Sequence, residues 1–320
     1  MKKASERKYV DTALSPKGER MRILKSDMRR NWSLYLLMLP VLAFYLVFCY
    51  KPMYGAIIAF KQYSPGLGIW NSPWVGLENF RYFFSNPDFI RILKNTLIIS
   101  VTTILFSFPA PIILALLFNE LTNAKFKKVA QTVSYVPHFI SLVVICGLIK
   151  LFVQDGGMIQ QLVSSITGTS GSLLNRKEAF LPIYVLSDIW QNIGWDSIIY
   201  VAALSGVDQQ LYEVARVDGA GKWKQMLNVT LPALKPTIII MLILRVGNML
   251  NVGYEKIILL YNPLIYDTSD VISTYVYRMG FESQDWSYST AVNLFNSVIN
   301  FIILVTANSL SRKFSETSLF

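Results

Sequence analysis

Six apolar stretches, each long enough to cross a bilayer, set the outer limits on what this chain can fold into. They run over roughly 32–50, 95–118, 129–153, 181–204, 236–260 and 290–311. A membrane helix needs about 20 predominantly apolar residues. Inside hydrocarbon no water can satisfy an open backbone N–H or C=O, so helices or closed barrels are the only spanning forms. Composition agrees. The chain is 53% hydrophobic and only 16% charged, with a mean hydropathy of +0.40, whereas soluble domains run about 45–50% apolar and roughly 25% charged. The expected fold class is an all-α integral membrane protein of six transmembrane helices. The last three stretches carry polar residues, which blurs their edges.

The basic residues orient the spans. Ten of the thirty Lys and Arg fall in Met1–Asn31, ahead of the first apolar stretch. A cleaved signal peptide has a short basic start and a small-residue cleavage site. Here the tail is long and the apolar stretch ends at Lys51-Pro52, which reads as a retained first helix. With six spans both termini share one side. Lys125, Lys127 and Lys128, then Arg216, Lys222, Lys224 and Lys235, then Arg312 and Lys313 fall on that same side, nineteen of the thirty in all. The segment 261–289 holds only Arg278 against Asp267, Asp270, Glu282 and Asp285. Positive charge concentrates inside, so both termini are expected in the cytoplasm. The net charge of +10 is thus an inward-held tail and loops rather than a nucleic-acid surface. The expected organisation is a tail over 1–31, a membrane body over 32–311 and a tail over 312–320. An external interfacial segment lies at about 52–91, and a cytoplasmic loop at 205–235.

Chemistry-bearing residues are sparse. Cys49 and Cys146 both sit in apolar stretches and imply neither a disulfide framework nor a metal site. One histidine, His138, excludes most His-based chemistry and reads as a packed polar residue. Pro40, Pro109, Pro111, Pro137 and Pro182 interrupt the spans, either as ordinary kinks in packed helices or as points of motion. In the external segment, Trp70, Trp74 and the aromatic run 80–84 fit a membrane–water interface. An amphipathic helix is expected there, broken at Asn86-Pro87-Asp88 before the second span.

The most informative stretch is 206–236, GVDQQLYEVARVDGAGKWKQMLNVTLPALKP. Asp208 can cap a helix whose Leu211, Val214, Ala215 and Val217 alternate with Glu213, Arg216 and Asp218. Gly219-Ala220-Gly221 ends it in a tight turn. Lys222 to Val229 reads as a second short helix, and Leu231-Pro232 leads into the fifth span. The whole is a compact, partly apolar knob suited to docking. Gly221-Lys222 is not a nucleotide loop. That motif needs a glycine separated from the pair by four residues and Ser or Thr after it, and Arg216 and Trp223 stand there.

This knob resembles the signature of the membrane subunits of binding-protein-dependent ABC importers, Glu-Ala-Ala-x3-Gly-x9-Ile-x-Leu-Pro. Glu213-Val214-Ala215, Gly219, Val229 and Leu231-Pro232 stand at those spacings, with Val214 for Ala and Val229 for Ile. Trp74-Val75-Gly76-Leu77-Glu78-Asn79-Phe80, Asn95-Thr96-Leu97 and Val136-Pro137 resemble the carbohydrate-uptake branch. Leu39-Pro40 and Lys51-Pro52-Met53-Tyr54-Gly55 resemble the permeases for polygalacturonan, rhamnogalacturonan and alginate oligosaccharides. The resemblance implies the type I importer fold in a bacterial inner membrane, with a coupling helix between helices four and five. Glu213, Ala215, Asp218, Gly219, Ala220, Leu231 and Pro232 would couple it to a separate ATPase. It implies a second permease, two ATPase copies and an extracytoplasmic sugar-binding protein as partners. ATP and Mg would sit on the ATPase, and no cofactor or catalytic activity on this chain.

Sugars are held by aromatic platforms and hydrogen-bonding amides. Candidates for the path are Trp190, Asn192 and Trp195 in the fourth span, Asn248 and Asn251 in the fifth, and Asn293, Asn296 and Asn300 in the sixth. Each asparagine can equally bond helix to helix. Intramembrane charges are costly and tend to be paired or functional. Counted from Pro236 and from Leu204, Arg245 and Asp196 lie about 14 and 12 Å deep at 1.5 Å per residue. They are expected to pair, the alternative being an Arg245 free to meet an acidic sugar. A secondary transporter or channel is the rival reading, but internal repeats or matching broken helices are not evident. A membrane enzyme would need a clustered nucleophile, base or metal set.

Overall fold

The computed structural model describes Ile23, residues 26–168 and residues 170–314. Most of the basic tail and the last six residues lie outside the described residues. The chain divides into two compact units, Met1–Ile57 and Ile58–Phe320.

The first unit is dominated by α1, Trp32–Phe44, whose helical path continues to the end of the unit at Ile57. Pro40 lies within it, and none of its residues is buried. Its uniformly apolar surface, with no polar face, suits hydrocarbon on every side.

Among its described residues the second unit is built of helices, with no strand beyond one isolated bridge, Lys61 to Trp74. Beside that bridge Lys61 donates to the carbonyls of Ile69 and Trp70 at 2.8 and 2.9 Å. The expected aromatic helix is α2, Glu78–Ser85, and it stops at Asn86-Pro87 as the sequence implies. Then come α3, Phe89–Ser107, and α4, Pro109–Glu120, which form one 32-residue apolar run. Pro109 and Pro111 fall in the first turn of α4, where a missing N–H costs least.

The third apolar stretch is not one helix. It divides into α5, Ala124–Tyr135, a tight turn over Val136–Phe139, and α6, Leu142–Val153, followed by α7, Met158–Thr167. Val136 is still helical ahead of Pro137; the chain leaves the helical path at Ile140, whose ψ is 133°, and Ser141 restarts it by capping the Val144 N–H. Helix α8, Lys177–Ser205, is 29 residues long. After it come α9, Gln209–Val217, then α10, Lys222–Gln225, which runs through a widened turn at Met226–Thr230 into α11, Leu231–Gly247. The second loop helix is therefore the start of the fifth span. Pro232 has no N–H and its ring presses on the preceding turn, and the path widens there instead of breaking. The fifth span ends at Gly247, not near 260. Residues 248–253 are irregular and α12, Tyr254–Leu260, is separate. Finally come α13, Ile272–Tyr277, and α14, Trp286–Phe314.

Among the described residues, five runs are long and apolar enough to cross a membrane: 32–60, 89–120, 142–167, 222–247 and 286–313. Helix α8 has the length, but Asp188 and Asp196 interrupt its apolar character. It packs against α3, α4, α5 and α11, so it lies among the others. Gly194 makes this possible. A Cβ there would run into the Ser134 carbonyl of α5.

One end of the unit is tied by a dense ionic cluster. Asp270 is fully buried and takes two hydrogen bonds from Arg278, at 2.7 and 3.2 Å, and a third contact from Arg91 at 3.5 Å. Arg91 also meets Asp88 at 2.9 Å, and Lys177 pairs with Asp267. Asn95 donates to the carbonyls of Asp267 and Asp270 at 2.9 and 3.0 Å, and Thr96 accepts from the Ile272 N–H. The Asn95-Thr96 pair thus anchors the segment that leads into α13.

Candidate functional site

The knob folds as its sequence implies. The Asp208 carboxylate accepts from the Gln210 N–H at 2.9 Å and starts α9. At the other end Gly219 takes a left-handed φ of +74°. The Ala220 N–H then reaches the Ala215 carbonyl at 2.8 Å, and the Gly219 N–H reaches Arg216 at 3.0 Å. This is the paired closure of a helix end that needs a residue tolerant of positive φ. Glu213, Asp218 and Gly219 are exposed, while Ala215 and Ala220 are half-buried under them. Val217 and Trp223 project, at 87% and 75% exposure. Leu231 and Pro232 are not on the knob but in the first turn of α11.

The knob is braced at three points. Tyr212 and Thr230 share a hydrogen bond of 3.0 Å, Gln225 donates to the Ala220 carbonyl at 2.7 Å, and Lys222 pairs with Glu120 of α4 at 2.7 Å. From Lys222 a continuous helical path of 26 residues, about 39 Å at 1.5 Å each, leads to Gly247.

At its far end that path forms the wall of two cavities. The first, about 290 Å³, is lined by Ser100, Thr103, Tyr184, Asp188, Arg245, Asn248 and Asn251 among others. The second, about 270 Å³, is lined by Ser107, Asp196, Tyr200, Arg245 and Asn248 among others. Arg245 and Asn248 are common to both. The partner of Arg245 is Asp188 at 3.8 Å, not Asp196 as the depth count implies. The helix begins well before Pro236. From Leu231 the depth of Arg245 is about 21 Å, and from Leu204 that of Asp188 is about 24 Å.

Asp188 belongs to a chain of polar contacts. Its other oxygen accepts from Asn192 Nδ2 at 3.1 Å, and Asn192 Oδ1 lies 3.1 Å from His138 Nδ1. The His138 ring stacks on Trp195 with centroids 4.5 Å apart. Asn192 and Trp195 thus hold the broken third stretch against α8, and His138 is the packed polar residue expected. Trp190 is exposed beside them.

The remaining asparagines divide. Asn296 is buried and donates to Asn251 at 2.8 Å, and buried Asn300 accepts from the Leu250 N–H at 3.1 Å. These two fasten α14 to the irregular stretch after α11, as interhelical bonds. Asn248 donates only to the Leu244 carbonyl of its own helix, at 3.2 Å, and faces the cavities. Asn293 is exposed and lines neither cavity. The sequence reading missed Asp188, Tyr184, Ser100 and Thr103. An acid four residues before Asn192 on one helix face was the available signal for the first.

A family model described as "Binding-protein-dependent transport system inner membrane component" matches residues 107–316. Two relatives from Bacillus subtilis (strain 168) align over nearly the whole chain. Protein LplB is 47% identical, covering 92% of each chain. The polygalacturonan/rhamnogalacturonan transport system permease protein YteP is 42% identical, covering 97% of each. Among solved structures, a bacterial alginate ABC transporter in complex with an alginate pentasaccharide-bound periplasmic protein superposes with a TM-score of 0.83. Identity is 42%, over 92% of this chain and 99% of that one.

Proposed function

The chain belongs to the binding-protein-dependent transport system inner membrane components and is a carbohydrate permease subunit of an ATP-driven importer; on that premise we propose that it forms half of the path for oligosaccharides released from acidic polysaccharides. It is a transport component without a reaction of its own, ATP hydrolysis residing on a separate subunit. In this reading α8 is the sixth crossing, between the third and the fifth. Both termini and the 205–235 loop face the cytoplasm, and the aromatic segment 52–91 faces outward. A second permease completes the path, two ATPases dock on the paired knobs, and an external solute-binding protein delivers the sugar.

The observation that carries this reading is the continuous helical path from the knob to the cavity wall. Glu213, Asp218 and Gly219 stand exposed on a capped helix. The path from Lys222 ends beside Arg245 and Asn248. A push on the knob is therefore a displacement of the residues facing the cavity. Relatives that serve polygalacturonan and alginate support an acidic cargo.

Co-purification of an ABC ATPase from the same host tests the docking half. The wild-type permease retains the ATPase. Glu213→Arg and Gly219→Val reduce retention at least about tenfold, as loss of a central interface residue does, while the permease still reaches the membrane. Retention unchanged by both variants refutes the docking role.

A further inference from the structure

Arg245 is a loosely held cation beside the two cavities. Its one ionic contact is 3.8 Å long, to a single oxygen of Asp188, and no side-chain hydrogen bond accompanies it. The Arg278–Asp270 pair shows what the same two groups do when locked, with two bonds at 2.7 and 3.2 Å. A guanidinium carries five donors in a planar fork suited to a carboxylate. The Arg245 side chain is 45% exposed and opens on both cavities. Around it stand groups that also want partners. Thr103 Oγ1 in the first cavity and Ser107 Oγ in the second are buried without a hydrogen-bond partner. Asn248 spends its amide on its own helix. Buried Lys256 lies over the Tyr184 ring, 5.1 Å from its centroid, behind the first cavity.

We infer that Arg245 is a specificity-determining residue that binds the carboxylate of a uronic-acid residue in transit, and that Asp188 holds its place when the path is empty. The inference rests on the oligosaccharide-importer reading above. A sugar carboxylate forms the bidentate pair that Asp188 does not, and it displaces that single long contact. Asn192 retains Asp188 by its other oxygen, so the displaced acid stays hydrogen-bonded. Asn248, exposed and common to both cavities, is placed to meet a hydroxyl of the same ring. Asp196, two turns from Asp188 along α8 and in the second cavity, gives the guanidinium a second carboxylate once the sugar has left.

The test uses the full importer with its ATPase and binding protein in proteoliposomes. The probes are trigalacturonate and trimannuronate, each with its methyl ester, which keeps the hydroxyls and removes the charge. The quantity read is the ratio of acid to ester uptake, in which the binding protein's own preference is common to all permease variants. Arg245→Gln lowers that ratio about tenfold or more, the range for a lost charge-assisted hydrogen bond. Arg245→Lys, which keeps the charge without the fork, gives an intermediate ratio and guards against a folding defect. Asp188→Asn holds or raises the ratio, because the competitor is gone. Equal losses of acid and ester uptake in Arg245→Gln overturn the inference and leave the importer reading standing. So does a loss of acid uptake in Asp188→Asn equal to that in Arg245→Gln. A wild-type importer that takes up neutral oligosaccharides and no uronate overturns the acidic-cargo reading and the inference together.

Discussion

Two arginine–aspartate pairs stand in the same helical unit and behave as opposites. Around Asp270, Arg278 and Arg91 close on a carboxylate with no exposed surface, and every oxygen is used. Around Arg245 one long contact spans the edge of an open cavity. The first arrangement fastens the segment before α13 to the start of α3 and cannot release without unfolding locally. The second has little to lose by exchanging partners. The difference teaches that an intramembrane or buried charge is not explained by finding it a partner. The geometry of the partnership separates a rivet from a site.

The comparison can be broken most forcefully at the rivet. Asp270→Asn leaves the half-buried Arg278 guanidinium without its carboxylate, while Arg91 keeps Asp88, and removing one member of such a pair costs about 3–5 kcal/mol. The parallel change Asp188→Asn costs at most about 1 kcal/mol, the scale of an exposed pair, since Asn192 keeps its bond. Thermal unfolding of the purified complex compares the two, and equal losses dissolve the distinction. A glycine pair sharpens it next. Gly194→Ala drives a methyl into the Ser134 carbonyl and destabilises by about 1–3 kcal/mol, as overpacking does. Gly219→Ala, in open space at positive φ, costs about 1 kcal/mol but uncouples ATP hydrolysis from uptake. Asp208→Ala removes the cap of α9 for about 1 kcal/mol and weakens ATPase retention less than Glu213→Arg does.

The smallest effect is a pH dependence. The hydrogen bond from Lys177 and the charge of its ammonium hold the exposed Asp267 carboxyl below the ordinary carboxylate range. A depressed folded value means the contribution is present above the unfolded value and is lost as pH falls through the folded one. Lys177→Met therefore flattens the acid limb of a stability–pH curve below about pH 4. A curve unchanged by the substitution removes this pair from the account.

Much of the frame was readable because hydropathy and turn chemistry act locally. The apolar stretches, the break at Asn86-Pro87, the Asp208 cap and the Gly219 turn each follow from a few neighbouring residues. The third and fifth spans were drawn too long because hydropathy counts side chains and not backbone direction. Val136–Phe139 and Met249–Gly253 are as greasy as their surroundings, yet the chain turns in both. The site was half readable. Arg245, Asn248 and Asn192 announce themselves as polar groups in apolar helices. That Asn296 and Asn300 would fasten a helix end, and that Asp188 rather than Asp196 would face Arg245, depends on where α11 begins and how α8 and α14 pack. No local pattern carries that information.

The claim at the centre is that the knob moves the cavity wall, and labelling at position 248 tests it most directly. In a chain with exposed Cys49 and buried Cys146 replaced, Asn248→Cys is reacted with a polar maleimide in the assembled importer, with and without vanadate-trapped nucleotide. The account predicts a rate that changes on trapping and ceases to change when Gly219→Val is added. A rate that never responds to nucleotide, or one that responds equally with the knob disrupted, contradicts it.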